Sequence, residues 1–164
     1  MKRVVVTGMG MVTPLGVGAK VNWDGILESR SGIRAIENFD VSDLPAKIGG
    51  QVPKGSRDKG LFNADEWISA KDQRRMDDFI IYGLAAAEQA VADSGWVADS
   101  DEKAWRTGVL IGSGIGGLAE ISGGSIVVND GRSRRLSPFF IPASLINLVS
   151  GHVSIRNGFK GPNH

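Results

Sequence analysis

The chain has 164 residues, enough for one ordinary domain that buries well over half of its unfolded surface. Its 19 Lys and Arg nearly balance 18 Asp and Glu, so no bulk charge draws a polyanion; nucleic-acid binding is not expected, and any electrostatic role must come from local clusters. Zero cysteines exclude a disulfide framework or a thiolate metal site within the chain, and 41% hydrophobic against 23% charged residues exclude a disordered composition.

In chain order, Arg3 to Thr7 reads as a buried, β-branched strand ended by Gly8. The loop from Gly8 to Gly16 is apolar and glycine-rich, which suggests that it is held against the core. A helix is predicted over Ala19 to Glu28 with Val21, Ile26 and Leu27 inward, stopping near Ser31-Gly32. The next predicted element is a short strand at Lys47 to Val52. Ser69 to Asp72 then fits a capping box opening a helix that runs to about Ser94 and is closed by Gly95. Its apolar stripes include Phe79, Tyr82, Ala86 and Ala90, beside Ile80, Gly83, Ala87 and Val91. Gly83 and the alanines at 85 to 87 should let another backbone approach closely.

Thr107 to Ile111 reads as a second buried strand, running into the glycine turn from Gly112 to Gly117. A poorly patterned stretch follows. Pro142 then opens a predicted helix with Leu145, Leu148, Val149 and Val153 inward, stopped by Asn157-Gly158. The Gly161-Pro162 turn should launch a further element, so the chain reads as a fragment whose sheet is incomplete. Strands alternating with helices predict an α/β fold with a largely parallel sheet. The apolar run Phe79 to Ala87 is far short of the roughly 20 residues of a membrane span. Leu136 to Ile155 lacks charge but holds two prolines, four serines, Asn147 and His152, and three valines are too few for a signal-peptide core. A cytoplasmic location is therefore expected.

Gly112 to Gly117 satisfies the G-x-G-x-x-G spacing of a dinucleotide loop, with Asp130 where a ribose-binding carboxylate would be sought. Two readings stand: a nucleotide-binding module, or a glycine turn required by close packing or a neighbouring ligand channel. His152 reads as a structural histidine, and Trp23, Trp67, Trp96 and Trp105 as packing residues. Lys71, Arg74 and Arg75 are expected on one face at the start of the long helix, where cations oppose the macrodipole at a cost of roughly a few tenths of a kcal/mol each. Arg132, Arg134 and Arg135 form a second cluster. An acidic partner would explain such placement, and so would a plain solvated face.

Five segments are similar to the N-terminal part of the β-ketoacyl-acyl-carrier-protein synthases, closest to the type II elongating enzymes. They are Arg3 to Gly16, Lys71 to Asp77, Ile111 to Leu118, Ser137 to Pro142, and Gly158 to Asn163, in order along the whole chain. The resemblance implies a thiolase-like α/β fold, with residues 1 to 164 forming its N-terminal portion. It also implies decarboxylative condensation of malonyl-carrier protein with a growing acyl chain, without a cofactor. In that family a nucleophilic cysteine follows a few residues after the position of His164, and two histidines and a lysine lie further on. No catalytic residue is then expected in this chain, which should be inactive alone. Ile115 matches a residue lining the acyl pocket. Phe140 matches an aromatic that closes the pocket from across a homodimer interface. Lys71, Arg74, Arg75, Arg134 and Arg135 match basic positions that dock the acidic acyl carrier protein. Rival readings within the class are a polyketide synthase ketosynthase and a chain-length-factor subunit.

Overall fold

In the computed structural model, which describes residues 3–164, the chain starts with an extended segment that pairs with no strand among the described residues. Val4 is 92% and Val6 80% exposed, so the buried strand expected at Arg3 to Thr7 is absent. Extended backbone becomes a strand only when a neighbour satisfies its N–H and C=O groups, and none lies alongside. A tight antiparallel hairpin follows, β1 (Val12–Thr13) with β2 (Gly16–Val17). It leads into α1 (Ala19–Leu27). Contrary to the predicted inward face, Ile26 and Leu27 are exposed, and α1 buries Asn22 and Gly25. Asn22 belongs inside because its amide donates to the carbonyls of Gly16 (3.1 Å) and Gly18 (2.8 Å), tying α1 to the hairpin. The predicted strand near residue 50 is present as β4 (Ile48–Gly50), antiparallel to β3 (Ile33–Ala35).

The expected long helix is two helices. Ser69 caps the short α2 (Ala70–Gln73), its hydroxyl oxygen accepting from Asp72 N at 3.2 Å. The backbone then turns extended at Asp77, and α3 (Asp78–Ser94) begins afresh. Gly95 closes α3 at φ 64°, as its position predicts. A short α4 (Asp101–Arg106), capped by Ser100, precedes the extended run 107–111. Among the described residues that run finds a parallel neighbour only at residues 162–164: Val109 N donates to Pro162 O (2.8 Å), His164 N to Val109 O (3.0 Å) and Ile111 N to His164 O (2.9 Å). The described strands are thus antiparallel pairs, with parallel pairing confined to isolated bridges at Lys54–Phe62 and Val109–Asn163. The stretch without a clear pattern forms α5 (Leu118–Asn129), and α6 (Phe140–Ser144) and α7 (Leu148–Asn157) complete the chain.

The core lies between α3 and α7, where Ile80, Leu84 and Ala85 meet Val149 and Val153, with Val17, Phe62, Ile68 and Val109 around them. Phe62 and Tyr82 pack edge to face with centroids 4.9 Å apart. Burial first, then the neighbouring Asp78, pushes the Tyr82 hydroxyl up to about 12. Close approach to α3 occurs where its small residues allow it. A Cβ at Gly10 would stand 2.7 Å from Gln89 Cβ, 2.8 Å from Ala90 N and closer still to the Ala86 carbonyl oxygen. Nearer the start of α3, Gly83 makes room for the Val149 side chain. Asn163 fastens the chain's end to α7, donating to Ser150 O (3.0 Å) and Ser154 Oγ (2.6 Å) and accepting from Ser150 Oγ (3.0 Å).

Candidate functional site at the glycine-rich turn

The breaks in the two predicted helices converge on one place. Asp77, which interrupts the first, is 8% exposed, and its Oδ2 accepts from Glu120 N at 3.1 Å in the first turn of α5. Leu145, which interrupts the second, is extended, and the preceding Ser144 carbonyl accepts from Gly117 N at 3.0 Å. Gly117 lies between them: a Cβ there would stand 2.7 Å from Ser144 Cα, 2.8 Å from Ala143 O and 3.2 Å from Asp77 Oδ2. Gly116 adopts φ 83°, and its N–H donates to Ser113 Oγ at 3.1 Å. Two tertiary hydrogen bonds therefore fix the C-terminal side of the turn, and Ile115 stands at its tip, 66% exposed. Phe140, half-buried at the start of α6, packs its ring against Gly124 of α5 and beside Leu136.

This arrangement bears on the dinucleotide reading. A helix does follow the glycine run, as the fingerprint requires. However, its leading N–H groups are taken by Ser144 O and the Asp77 carboxylate, and that buried anion occupies the position a phosphate would need. Asp130 is also engaged, 2.5 Å from the Arg132 guanidinium. The geometry favours a packing turn over a phosphate cradle.

The basic residues also fall differently from the expected single helix face. Arg74 caps the C-terminus of the one-turn α2, the end where cations are favoured, and Arg75 lies beyond it, so the macrodipole cost expected at the start of one long helix does not arise for these two. Arg75 stacks 4.6 Å from the Phe139 ring centroid and lies 3.8 Å from the Asp72 carboxylate. That stacking sets the turn carrying Lys71, Arg74 and Arg75 against residues just after Arg134 and Arg135. Arg135 and Glu120 in turn line one cleft with Ser137 and Phe140. Lys71, Arg74, Arg134 and Arg135 are exposed and have no salt bridge among the described residues, whereas most other lysines and arginines, from Lys20 to Lys160, do. Cations left unpaired and gathered near one edge are suited to meeting an acidic surface.

His152 is half-buried in a cavity of about 390 Å³ with Trp67, Asp72, Met76 and Arg156. Burial lowers its pKa, and the Asp72 charge opposes that shift only in part. The unfolded chain therefore takes up this proton first as pH falls. Stability present above about pH 6.5 should be lost as pH drops through the folded-state pKa. His152→Gln should flatten that part of the thermal-midpoint-against-pH curve; an unchanged slope would assign it to other groups. Of the tryptophans read as packing residues, Trp23, Trp96 and Trp105 are exposed and only Trp67 is half-buried, beneath Arg57 at 4.8 Å. The sequence reading missed Asp77 and Ser144. Asp77 closes the similar segment Lys71 to Asp77, but the sequence showed one helical run through it and no sign of the break.

Among the described residues no helix is long and apolar enough to cross a membrane. A family profile described as "Beta-ketoacyl synthase, N-terminal domain" matches residues 1–164. The chain is 52% identical over 164 residues to a 3-oxoacyl-[acyl-carrier-protein] synthase 2 of Rhizobium meliloti (strain 1021), covering 100% of this chain and 39% of that protein. A namesake from Vibrio harveyi is 44% identical over 162 residues, covering 99% and 37%. The chain thus spans about two fifths of the length of these relatives. Among solved structures, a β-ketoacyl synthase from Burkholderia phymatum STM815 superposes with TM-score 0.77 at 27% identity, covering 98% of this chain and 38% of that one. The ishigamide ketosynthase/chain length factor gives TM-score 0.78 at 22% identity, over 98% and 38%, a likeness of fold alone. These matches make the architecture the layered α/β arrangement of the thiolase-like ketosynthases, present here only in part. The chain belongs to the β-ketoacyl synthase family, matching its N-terminal domain from end to end.

Proposed function

We propose that residues 1–164 are the N-terminal portion of a 3-oxoacyl-[acyl-carrier-protein] synthase. The reaction is decarboxylative condensation of malonyl-carrier protein with an acyl-carrier protein in fatty-acid elongation. The observation that carries this reading is identity running the whole length of the chain, 52% with a synthase of that name. The polyketide readings have only likeness of fold behind them, at 22% identity.

The chain's own residues then supply recognition. Lys71, Arg74, Arg75, Arg134 and Arg135 attract and orient the acidic carrier protein, since complementary charge speeds encounter and fixes register. Ile115, on a turn otherwise made of glycines and one serine, sets a branched wall beside space for an alkyl chain. Phe140 closes that space from the partner protomer of a homodimer. The chain contains no cysteine, so the thiolate that takes up the acyl group comes from sequence beyond these residues. A thiolate at a helix N-terminus suits that step, because the dipole lowers the thiol pKa. Donors around the thioester oxygen would stabilise the enolate formed as carbon dioxide leaves. A cytoplasmic location accords with such a carrier-dependent enzyme.

The test is a chimera in which this chain replaces the corresponding region of the Rhizobium meliloti synthase. Condensation of malonyl- and acyl-carrier protein should be retained. In the same chimera Ile115→Phe should lower kcat/KM for long acyl chains by about 10- to 200-fold, the range one or more displaced methylenes produce, while sparing short ones. A folded but inactive chimera would remove the functional reading. Equal turnover of long and short chains by Ile115→Phe would remove the pocket assignment.

A further inference from the structure

We infer that Asp77 is a positioning residue that sets acyl-chain length selectivity by anchoring the turn that carries Ile115. The inference rests on the reading of Ile115 given above, and it begins with an unusual use of a capping residue. An aspartate just before a helix normally accepts from N–H groups two or three residues into that same helix. Asp77 precedes α3 and makes no such bond. Its carboxylate is turned across the interior to Glu120 N of α5, a helix whose own capping position is filled by Gly117, which has no side chain to offer. Asp77 therefore caps α5 from a different element, with its negative charge at the positive end of that helix.

The consequence falls on Ile115. The preceding glycines, Gly112 and Gly114, stand in open space where an added Cβ would meet nothing within 4 Å. Past the Ile111 N to His164 O bond that precedes them, no neighbour packs against these two glycines among the described residues. On the other side Gly117 is wedged between the Asp77 carboxylate and the Ala143–Ser144 backbone, and only glycine permits both approaches at once. Ile115 is two residues from that wedge. Asp77 is also two residues from Arg75, which stacks on Phe139. One buried carboxylate thus joins the surface proposed to receive the carrier protein to the turn proposed to measure its cargo.

The experiment uses the complete chimeric synthase. Asp77→Ala removes the acceptor. Asp77→Asn retains an oxygen that accepts and should rescue. Glu120→Pro deletes the donor at the third residue of α5, whose N–H has no partner within its own helix, and should reproduce Asp77→Ala even if the latter folds poorly. Loss of a cap corresponds to about a 5- to 30-fold change. Discrimination between long and short acyl chains in kcat/KM should fall by that factor in Asp77→Ala and Glu120→Pro, with KM for the carrier protein unmoved. Amide exchange across Leu118 to Ile121 should quicken in Asp77→Ala and stay slow in Asp77→Asn. Unchanged selectivity in both acceptor- and donor-deleted variants, alongside a clear Ile115→Phe block, overturns the positioning role alone. If Ile115→Phe also leaves the length profile flat, the pocket reading falls and the selectivity role of Asp77 falls with it.

Discussion

Gly10→Ala is expected to cost the fold about 3 kcal/mol, the upper end of the ordinary range for overpacking, and to lower the thermal midpoint by about 6–12 °C. The reason is what the new methyl would meet. Two of its nearest neighbours, the Ala86 carbonyl oxygen and Ala90 N, belong to the backbone of α3, and the third is Gln89 Cβ, one bond from it. No rotamer change relieves that overlap, so the loop or the helix must shift as a body, against a core in which Ile80 and Ala85 are fully buried. Gly83→Ala differs in kind: its methyl would overlap a side chain, Val149 Cγ2. That clash can be removed by deleting the obstacle. Val149→Ala alone should destabilise by creating a cavity, roughly 1–3 kcal/mol, yet should recover part of the loss when combined with Gly83→Ala, with a coupling of about 0.5–3 kcal/mol. Gly123→Ala, in α5 with nothing within 4 Å, should raise stability by about 0.4–1 kcal/mol. Thermal and urea unfolding of the five variants distinguishes backbone approach from side-chain packing. A Gly10→Ala protein as stable as wild type would show that the loop does not lie against α3 in solution.

What was legible in the sequence divides along the same physical line. The Gly95 stop and an apolar face carrying Phe79, Ile80 and Tyr82 followed from local periodicity and are present. The deepest burial also takes in Ile81, Leu84 and Ala85, outside the predicted stripes, and what meets Gly83 is the Val149 side chain where another backbone was expected. The break before α3 was not legible, because it serves a hydrogen bond that Asp77 accepts from the backbone of a residue 43 positions away. The break at Leu145 has the same origin, since it aims the Ser144 carbonyl at Gly117. α5 escaped detection because Leu118, Ile121, Ile126 and Val128 are apolar with no polar face opposite, and in this chain they are exposed. The strand expected at Arg3 to Thr7 has the right residues, but local pattern cannot supply the neighbour that pairing demands. At the candidate site, the motif residues identified Ile115, Phe140 and the five cations by type. Their relation through Asp77, Gly117 and Ser144 is a property of the fold.

Reversing the charge of Arg74 and Arg134 together is expected to weaken acyl-carrier-protein binding by the complete chimeric synthase on the order of 10- to 100-fold at low salt, and only a few-fold near 0.5 M salt. Arg74 and Arg134 are suited to this test because both are exposed and neither has an acidic partner among the described residues, so their loss leaves no buried carboxylate unpaired. Arg75→Glu is less clean. It would place a carboxylate beside Asp72 and remove the stacking on Phe139, so a fall in stability should accompany any fall in affinity. Net charge alone could mimic the result, since this chain carries only +1. Arg106→Glu gives the same change per residue at the far end of α4, also on an exposed cation without a salt bridge among the described residues. A local docking surface predicts that Arg106→Glu leaves affinity within about twofold, because charges separated by more than the screening length of about 8 Å at physiological ionic strength contribute little. The loss at Arg74 and Arg134 should appear mainly as a slower association rate, as expected for charges at the rim of an interface. Equal weakening per reversed charge by Arg106→Glu and by the Arg74 and Arg134 pair would reduce the patch to a diffuse attraction, and no weakening by the pair would leave the acidic carrier protein without a recognition surface on this part of the enzyme.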